Sequence, residues 1–272
     1  MPQGREKVCY PAWTIRQALN ETAILWDYTI FAGMLNQKTM ATNEISNQSV
    51  KAKLTGQVIT RYLLSLLFVS LLLFIPAGTL KFWNAWVFIL ALFIPMFFVM
   101  IYLLRNDPEL LQKRMKTREK ERPQKVYLVF SIITSIFTYL IPGLDYRYHW
   151  SGVPPWLVIL ATVIMLAGYF LFFLVMKQNS YASRVIEIQE DQKLIDTGLY
   201  SLVRHPMYTA GSILFCSTPL VLGSYFALIP VLFLPILLII RALNEEKVLK
   251  SNLAGYEEYM KKVKYRLIPF IW

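Results

Sequence analysis

Residues 82–104 read FWNAWVFILALFIPMFFVMIYLL, 23 residues without a charge. At 1.5 Å per residue a helix of this length reaches across the roughly 30 Å hydrocarbon core of a bilayer. In lipid a lone segment must satisfy its backbone groups within itself, so the run predicts a membrane-spanning helix, with Pro95 as a kink for neighbouring helices to accommodate.

Further apolar runs lie on either side. An earlier one covers Tyr62 to Ala77, led in by Val58 and Ile59, with Arg61 near its start and Pro76 and Gly78 at its end. Two more, Val126 to Leu144 and Trp156 to Met176, are separated by a turn rich in Tyr, Trp and Gly that suits the headgroup region. Apolar character returns from Pro206 to Ile240, too long for one span, and Pro219, Gly223 and Ser224 interrupt it. This predicts a helical hairpin with arms Pro206–Leu222 and Tyr225–Arg241, each about 17 residues and at the lower limit for crossing. The expected fold is all-α: a polytopic membrane bundle of four spans, a C-terminal hairpin and a cytoplasmic amphipathic tail. Three regions are expected: a poorly structured extension 1–57, with Met40 as a plausible natural start, a four-helix region 58–176, and 177–272 with the hairpin 206–241.

The composition agrees. Hydrophobic residues make up 56% and charged residues 17% of the 272 residues, against roughly half and a quarter in ordinary soluble domains. The net charge of +11 raises the question of nucleic acid, which the positions of the basic residues answer. Eight Lys or Arg lie in 105–125 and seven from Arg241 onward, with Lys51, Lys53, Lys177, Arg184, Lys193 and Arg204 at other helix edges. The links on the opposite side hold Lys81 and Arg147. This is the positive-inside pattern, which expects a multi-pass protein with its C-terminus cytoplasmic. It leaves no basic module for nucleic acid. Two cysteines, Cys9 and Cys216, and two histidines, His149 and His205, make neither a disulfide framework nor a metal site.

Polar residues that can do chemistry gather in the last 90 or so positions. An Asp196-Thr197-Gly198 turn precedes Tyr200, and Arg204-His205-Pro206-Met207-Tyr208 opens the hairpin. Pro206 suits the first turn of a helix, whose free N–H groups and positive dipole end favour an anion, with Arg204 adding a full charge. A plain interfacial helix start with a snorkelling arginine and a capping histidine reads equally well from these residues. Arg241 and Glu245, four apart, share a helix face, and Glu246 comes next. Arg241 comes directly after an apolar run, where an ionisable group is costly unless paired or used. Leu249, Leu253, Tyr256 and Met260 recur at helical spacing and predict a short amphipathic helix, which could lie on the membrane surface or equally close over a cofactor held at the hairpin.

The succession Gly198-Leu-Tyr200, Arg204-His-Pro-Met-Tyr208, a broken apolar hairpin, Arg241 with Glu245-Glu246, Gly255-Tyr256 with Tyr259, and Arg266-Leu-Ile-Pro269 resembles the isoprenylcysteine carboxyl methyltransferase family of integral membrane proteins. The resemblance covers about Asn179 to Trp272, and related patterns occur in phospholipid N-methyltransferases and membrane sterol reductases. It implies S-adenosylmethionine in a cytoplasm-facing pocket, lined by Gln192, Lys193, Leu194 and Ile195, by Tyr200, and by His205, Pro206, Met207 and Tyr208, with Glu245 touching it and Gln189 a further candidate. Arg204 and the helix start at Pro206 would hold the cofactor's carboxylate. Arg241 would grip the carboxylate of a lipophilic or lipidated acceptor in two-point fashion.

Methyl transfer to a carboxylate is an in-line displacement that needs positioning and desolvation more than a general base, which suits a region with one histidine and no acid–base pair. Partners beyond the substrate and membrane lipids are not indicated. A lipid-amine or phospholipid N-methyltransferase is the alternative enzyme, although Arg241 beside an amine would be awkward. An NADPH-dependent membrane reductase and a non-catalytic membrane protein are the readings of other classes.

Overall fold

The computed structural model describes residues 51–115, 122–182, 185 and 192–272. The proposed start at Met40 and the candidate Gln189 lie outside these residues. The chain divides into two units, Met1–Thr55 and Gly56–Trp272. Of the first, residues 51–55 are described, and they are helical. The second unit holds the remainder of the described residues.

The described residues are mainly helical and contain no strand. In chain order the helices are α1 (Lys51–Ala77), α2 (Trp83–Asn106), α3 (Pro108–Met115), α4 (Arg122–Tyr148), α5 (Pro155–Gln178), α6 (Pro206–Val221), α7 (Leu228–Val231), α8 (Phe233–Asn252) and α9 (Tyr256–Lys262). A 3-10 turn, Gly198–Ser201, stands before α6. Among the described residues, five segments are long and apolar enough to cross a membrane: Lys51–Ala77, Trp83–Asn106, Tyr127–Tyr148, Pro155–Gln178 and Leu228–Asn252. At most 33% of each apolar window is buried, so side chains such as Phe98 and Phe170 point outward, as a lipid-facing surface requires. The architecture is a polytopic helical membrane bundle.

Three expectations need correction. Residues 51–57, assigned from sequence to a poorly structured extension, are the first turns of α1. The hairpin is asymmetric: α6 has 16 residues, whereas the return arm continues as helix beyond Arg241 to Asn252. Loss of hydropathy at Arg241 ends the apolar run, but Glu, Lys and Leu are good helix formers, and the helix continues through them. Leu249 consequently belongs to α8. The amphipathic tail helix begins only at Tyr256, after Gly255 turns the chain at φ +79°.

Close helix approach places the site. Gly143 of α4 lies against α1, where a Cβ would come within 2.6 Å of the Leu73 carbonyl oxygen. Gly168 of α5 meets α6, where a Cβ would lie 2.7 Å from Ile213 Cγ2. Leu73, Phe82, Phe88, Met165 and Leu222 fill the core at the loop end of α1 and α2, with Phe82 stacked on Tyr146 at 4.6 Å. A buried latch joins the end of α4 to the α6–α7 turn. Asp145, 2% exposed, accepts from Ser151 N at 2.7 Å, Ser151 Oγ at 2.6 Å and Ser224 Oγ at 2.5 Å. At the other end of the bundle the helices diverge and leave a cavity.

Candidate active site

The cavity has a volume of about 930 Å³. Its apolar lobe is bounded by α1, α2, α4 and α5, with Tyr62, Met96, Met100, Leu128, Ile132, Met165 and Phe172 among its walls. Its polar lobe is built from the chain after α5. All twelve residues expected at the site line this one cavity: Gln192, Lys193, Leu194, Ile195, Tyr200, Arg204, His205, Pro206, Met207, Tyr208, Arg241 and Glu245.

Three segments hold the polar lobe. First, the end of α5 fastens the 3-10 turn, since Gln178 Oε1 accepts from Leu199 N at 3.1 Å and Asn179 Nδ2 donates to the Tyr200 hydroxyl at 2.7 Å. Gly198 makes the turn at φ +55°, with its Cα packed onto the Gln178 amide. Burial pushes the Tyr200 phenol up to about 12, against the opposing effect of the Asn179 hydrogen bond.

Second, α6 starts at Pro206, and the residues just before it pair with the C-terminal tail. Arg204 N donates to Tyr265 O and His205 N to Arg266 O, both at 2.9 Å. Thr209 Oγ1 donates to Leu267 O at 2.6 Å, and Tyr259 Oη to Tyr200 O at 2.7 Å.

Third, α8 supplies two adjacent carboxylates with separate partners. Glu246, 5% exposed, accepts from Arg204 Nε at 2.7 Å and Arg266 Nε at 3.0 Å, with His205 Nε2 at 3.3 Å. Arg204 Nη1 reaches the Val263 and Lys264 carbonyls at 2.8 and 3.0 Å. Three cationic or ring-nitrogen groups on two separate segments thus converge on one buried carboxylate. The guanidinium of Arg204 is turned to this clasp, whereas the sequence expectation turned it to a ligand.

Glu245 faces the cavity. It accepts a short hydrogen bond from the Tyr208 hydroxyl, which itself accepts from Arg241 Nε at 3.1 Å. His205 stacks on Tyr208 at 5.4 Å and brings Nδ1 to 3.8 Å from Glu245. Arg241, 7% exposed, also lies over the Tyr127 ring at 4.9 Å. The expected Arg241–Glu245 helix pair is therefore bridged by Tyr208, in the first turn of α6.

Several lining residues escaped the sequence reading. Arg114, counted among the topology charges, and Arg61, noted only near the start of the first apolar run, line the cavity with Lys193, Arg204 and Arg241. Glu245 is the only carboxylate among the described lining residues. Arg114 Nη1 donates to Ala182 O at 2.9 Å and contacts Met207 Sδ at 3.3 Å. Tyr256, named in the Gly255-Tyr256 motif and in the helical stripe of the tail but given no role, is 3% exposed, lines the cavity and has no hydrogen-bond partner for its hydroxyl among the described residues.

Residues 156–254 match the phospholipid methyltransferase family. The matched region runs from α5 to the end of α8 and contains Arg204 to Tyr208, Arg241, Glu245 and Glu246. The fold and this match define the class: a polytopic membrane methyltransferase. No curated protein matches the sequence. Among solved structures, the chain is similar in outline to the eukaryotic intramembrane Ras methyltransferase, isoprenylcysteine carboxyl methyltransferase, solved without a monobody. That likeness has 18% identity and a TM-score of 0.45, and covers 80% of this chain and 85% of that one.

Proposed function

We propose that this protein transfers a methyl group from S-adenosylmethionine to the carboxylate of a lipophilic, isoprenylcysteine-like acceptor, with the cofactor site and the C-terminus on the cytoplasmic side. The observation that carries the reading is the single cavity in which an apolar lobe between membrane helices meets the polar set Tyr208, Arg241 and Glu245.

The residues of the polar lobe suit the cofactor. Glu245 can accept from its ammonium or hydroxyl groups, the stacked faces of His205 and Tyr208 suit a sulfonium cation, and the backbone of Gln192 to Ile195 offers further hydrogen bonds. When bound, the cofactor supplies an electrophilic methyl group, and no proton has to leave a carboxylate acceptor. The work left to the chain is placement and exclusion of water. Tyr208 fixes Glu245 and Arg241 relative to each other, and Arg241 holds the acceptor's carboxylate. Arg204 acts through Glu246, fastening the tail that backs the site.

Phospholipid or lipid-amine N-methylation is the second reading, favoured by the family match over 156–254. Arg241 beside Tyr208 at the cavity favours an anionic acceptor instead, since a cation repels a protonated amine. The test is a membrane-lipid extract incubated with methyl-labelled cofactor and the purified protein, then base treatment of the product. A base-labile methyl ester is expected, and base-stable label on an amine would select the second reading. Detergent-solubilised protein that bound NADPH but not S-adenosylmethionine would refute both.

A further inference from the structure

Tyr256 begins α9 immediately after the left-handed turn at Gly255. Its ring sits in a small cluster with Tyr259 and Val263, against Leu194, Leu249 and Leu253. Its hydroxyl is buried and without a hydrogen-bond partner among the described residues, in a side chain that lines the polar lobe. An unsatisfied buried hydroxyl costs about 1–3 kcal/mol, and native proteins keep few of them. The neighbouring Tyr259 shows the usual solution, donating to Tyr200 O at 2.7 Å. Burial, reinforced by the charges of Glu246 and Glu245, raises the Tyr256 phenol above its ordinary range, so it keeps its proton and remains both donor and acceptor.

We propose that the Tyr256 hydroxyl is a ligand-binding group of the polar lobe, satisfied by a polar atom of the bound cofactor, and that α9 is the wall that carries it there. The proposal rests on the S-adenosylmethionine reading above. It adds to the site a residue outside the twelve expected positions, and gives the tail beyond α8 a direct part in binding.

The two roles of a tyrosine hydroxyl, bonded within the protein or reserved for a ligand, predict opposite signs for removing it. Tyr256→Phe keeps the ring and removes only the oxygen. In detergent, without ligand, its Tm should equal or exceed that of the parent. Its affinity for S-adenosylmethionine, measured by calorimetry, should fall about 3- to 10-fold, the worth of one neutral hydrogen bond. Tyr259→Phe is the control and should lower the Tm. Unchanged affinity in Tyr256→Phe, or a lowered ligand-free Tm, would overturn the proposal. If the parent itself bound no S-adenosylmethionine, the cofactor reading would fall and this proposal with it. Parent binding that Tyr256→Phe leaves intact removes this proposal alone.

Discussion

Glu246 Oε1 accepts a hydrogen bond from Arg204 Nε at 2.7 Å, across 42 positions of sequence and with both side chains buried. The same carboxylate holds Arg266 of the tail, so α8, the start of α6 and the C-terminus meet at one point. Removing one partner of a buried ion pair typically costs about 3–5 kcal/mol, because the other charge is left without compensation. Glu246→Ala strands two arginines. It should lower the unfolding free energy in detergent by about that amount, and Glu246→Gln by less. A loss below about 1 kcal/mol for the alanine variant would show that the clasp is not what holds the tail.

Gly143 lets α4 pass against the backbone of α1, and no side chain there can yield without moving a helix. Overpacking of a close contact costs about 1–3 kcal/mol. Gly143→Leu should therefore lower the Tm, whereas the same change at Gly211, where a Cβ meets nothing within 4 Å, should be tolerated far better. Equal effects at the two positions would contradict the close crossing.

Tyr200 predicts a pH effect with a definite sign. Its folded pKa of about 12 lies above the ordinary phenol value of 10.0, so the unfolded chain gives up this proton first. Below pH 10 the group contributes no pH dependence. Between about 10 and 12 folding stability falls as pH rises, by up to about 1.4 kcal/mol per pH unit for one group. Tyr200→Phe loses the Asn179 hydrogen bond at every pH, but its stability should fall less steeply over that window. Parallel slopes for the parent and the variant would refute the shift.

How far the sequence foretold this differs from one element to another. The run 82–104 became α2 with its ends displaced by only a residue or two, because charges at Lys81 and Arg105 bound it on both sides. The second arm of the hairpin was cut short at Arg241, since hydropathy reports the solvent and not the helix, and α8 leaves the apolar zone still wound. The site's residues were legible through the motifs of the family resemblance and not from spacing alone, and those residues line one cavity. Their pairings were not. That Arg204 turns to Glu246, and that Tyr208 stands between Arg241 and Glu245, depends on where α6 meets α8, and no local pattern encodes that. Tyr256 was named without a role for a related reason: helical spacing and a motif identify the residue but not what it faces.

The tail pairing also bears on how the protein is made. Arg204 Nη1 finds its acceptors 59 and 60 positions later, at Val263 and Lys264. A chain emerging from the ribosome at about 5–20 residues per second inserts α6 several seconds before those carbonyls exist. Until then a buried arginine at the membrane edge waits with part of its fork unmet. The membrane helices can thus be in place while the site is still open, and the polar lobe is among the last parts of the molecule to close.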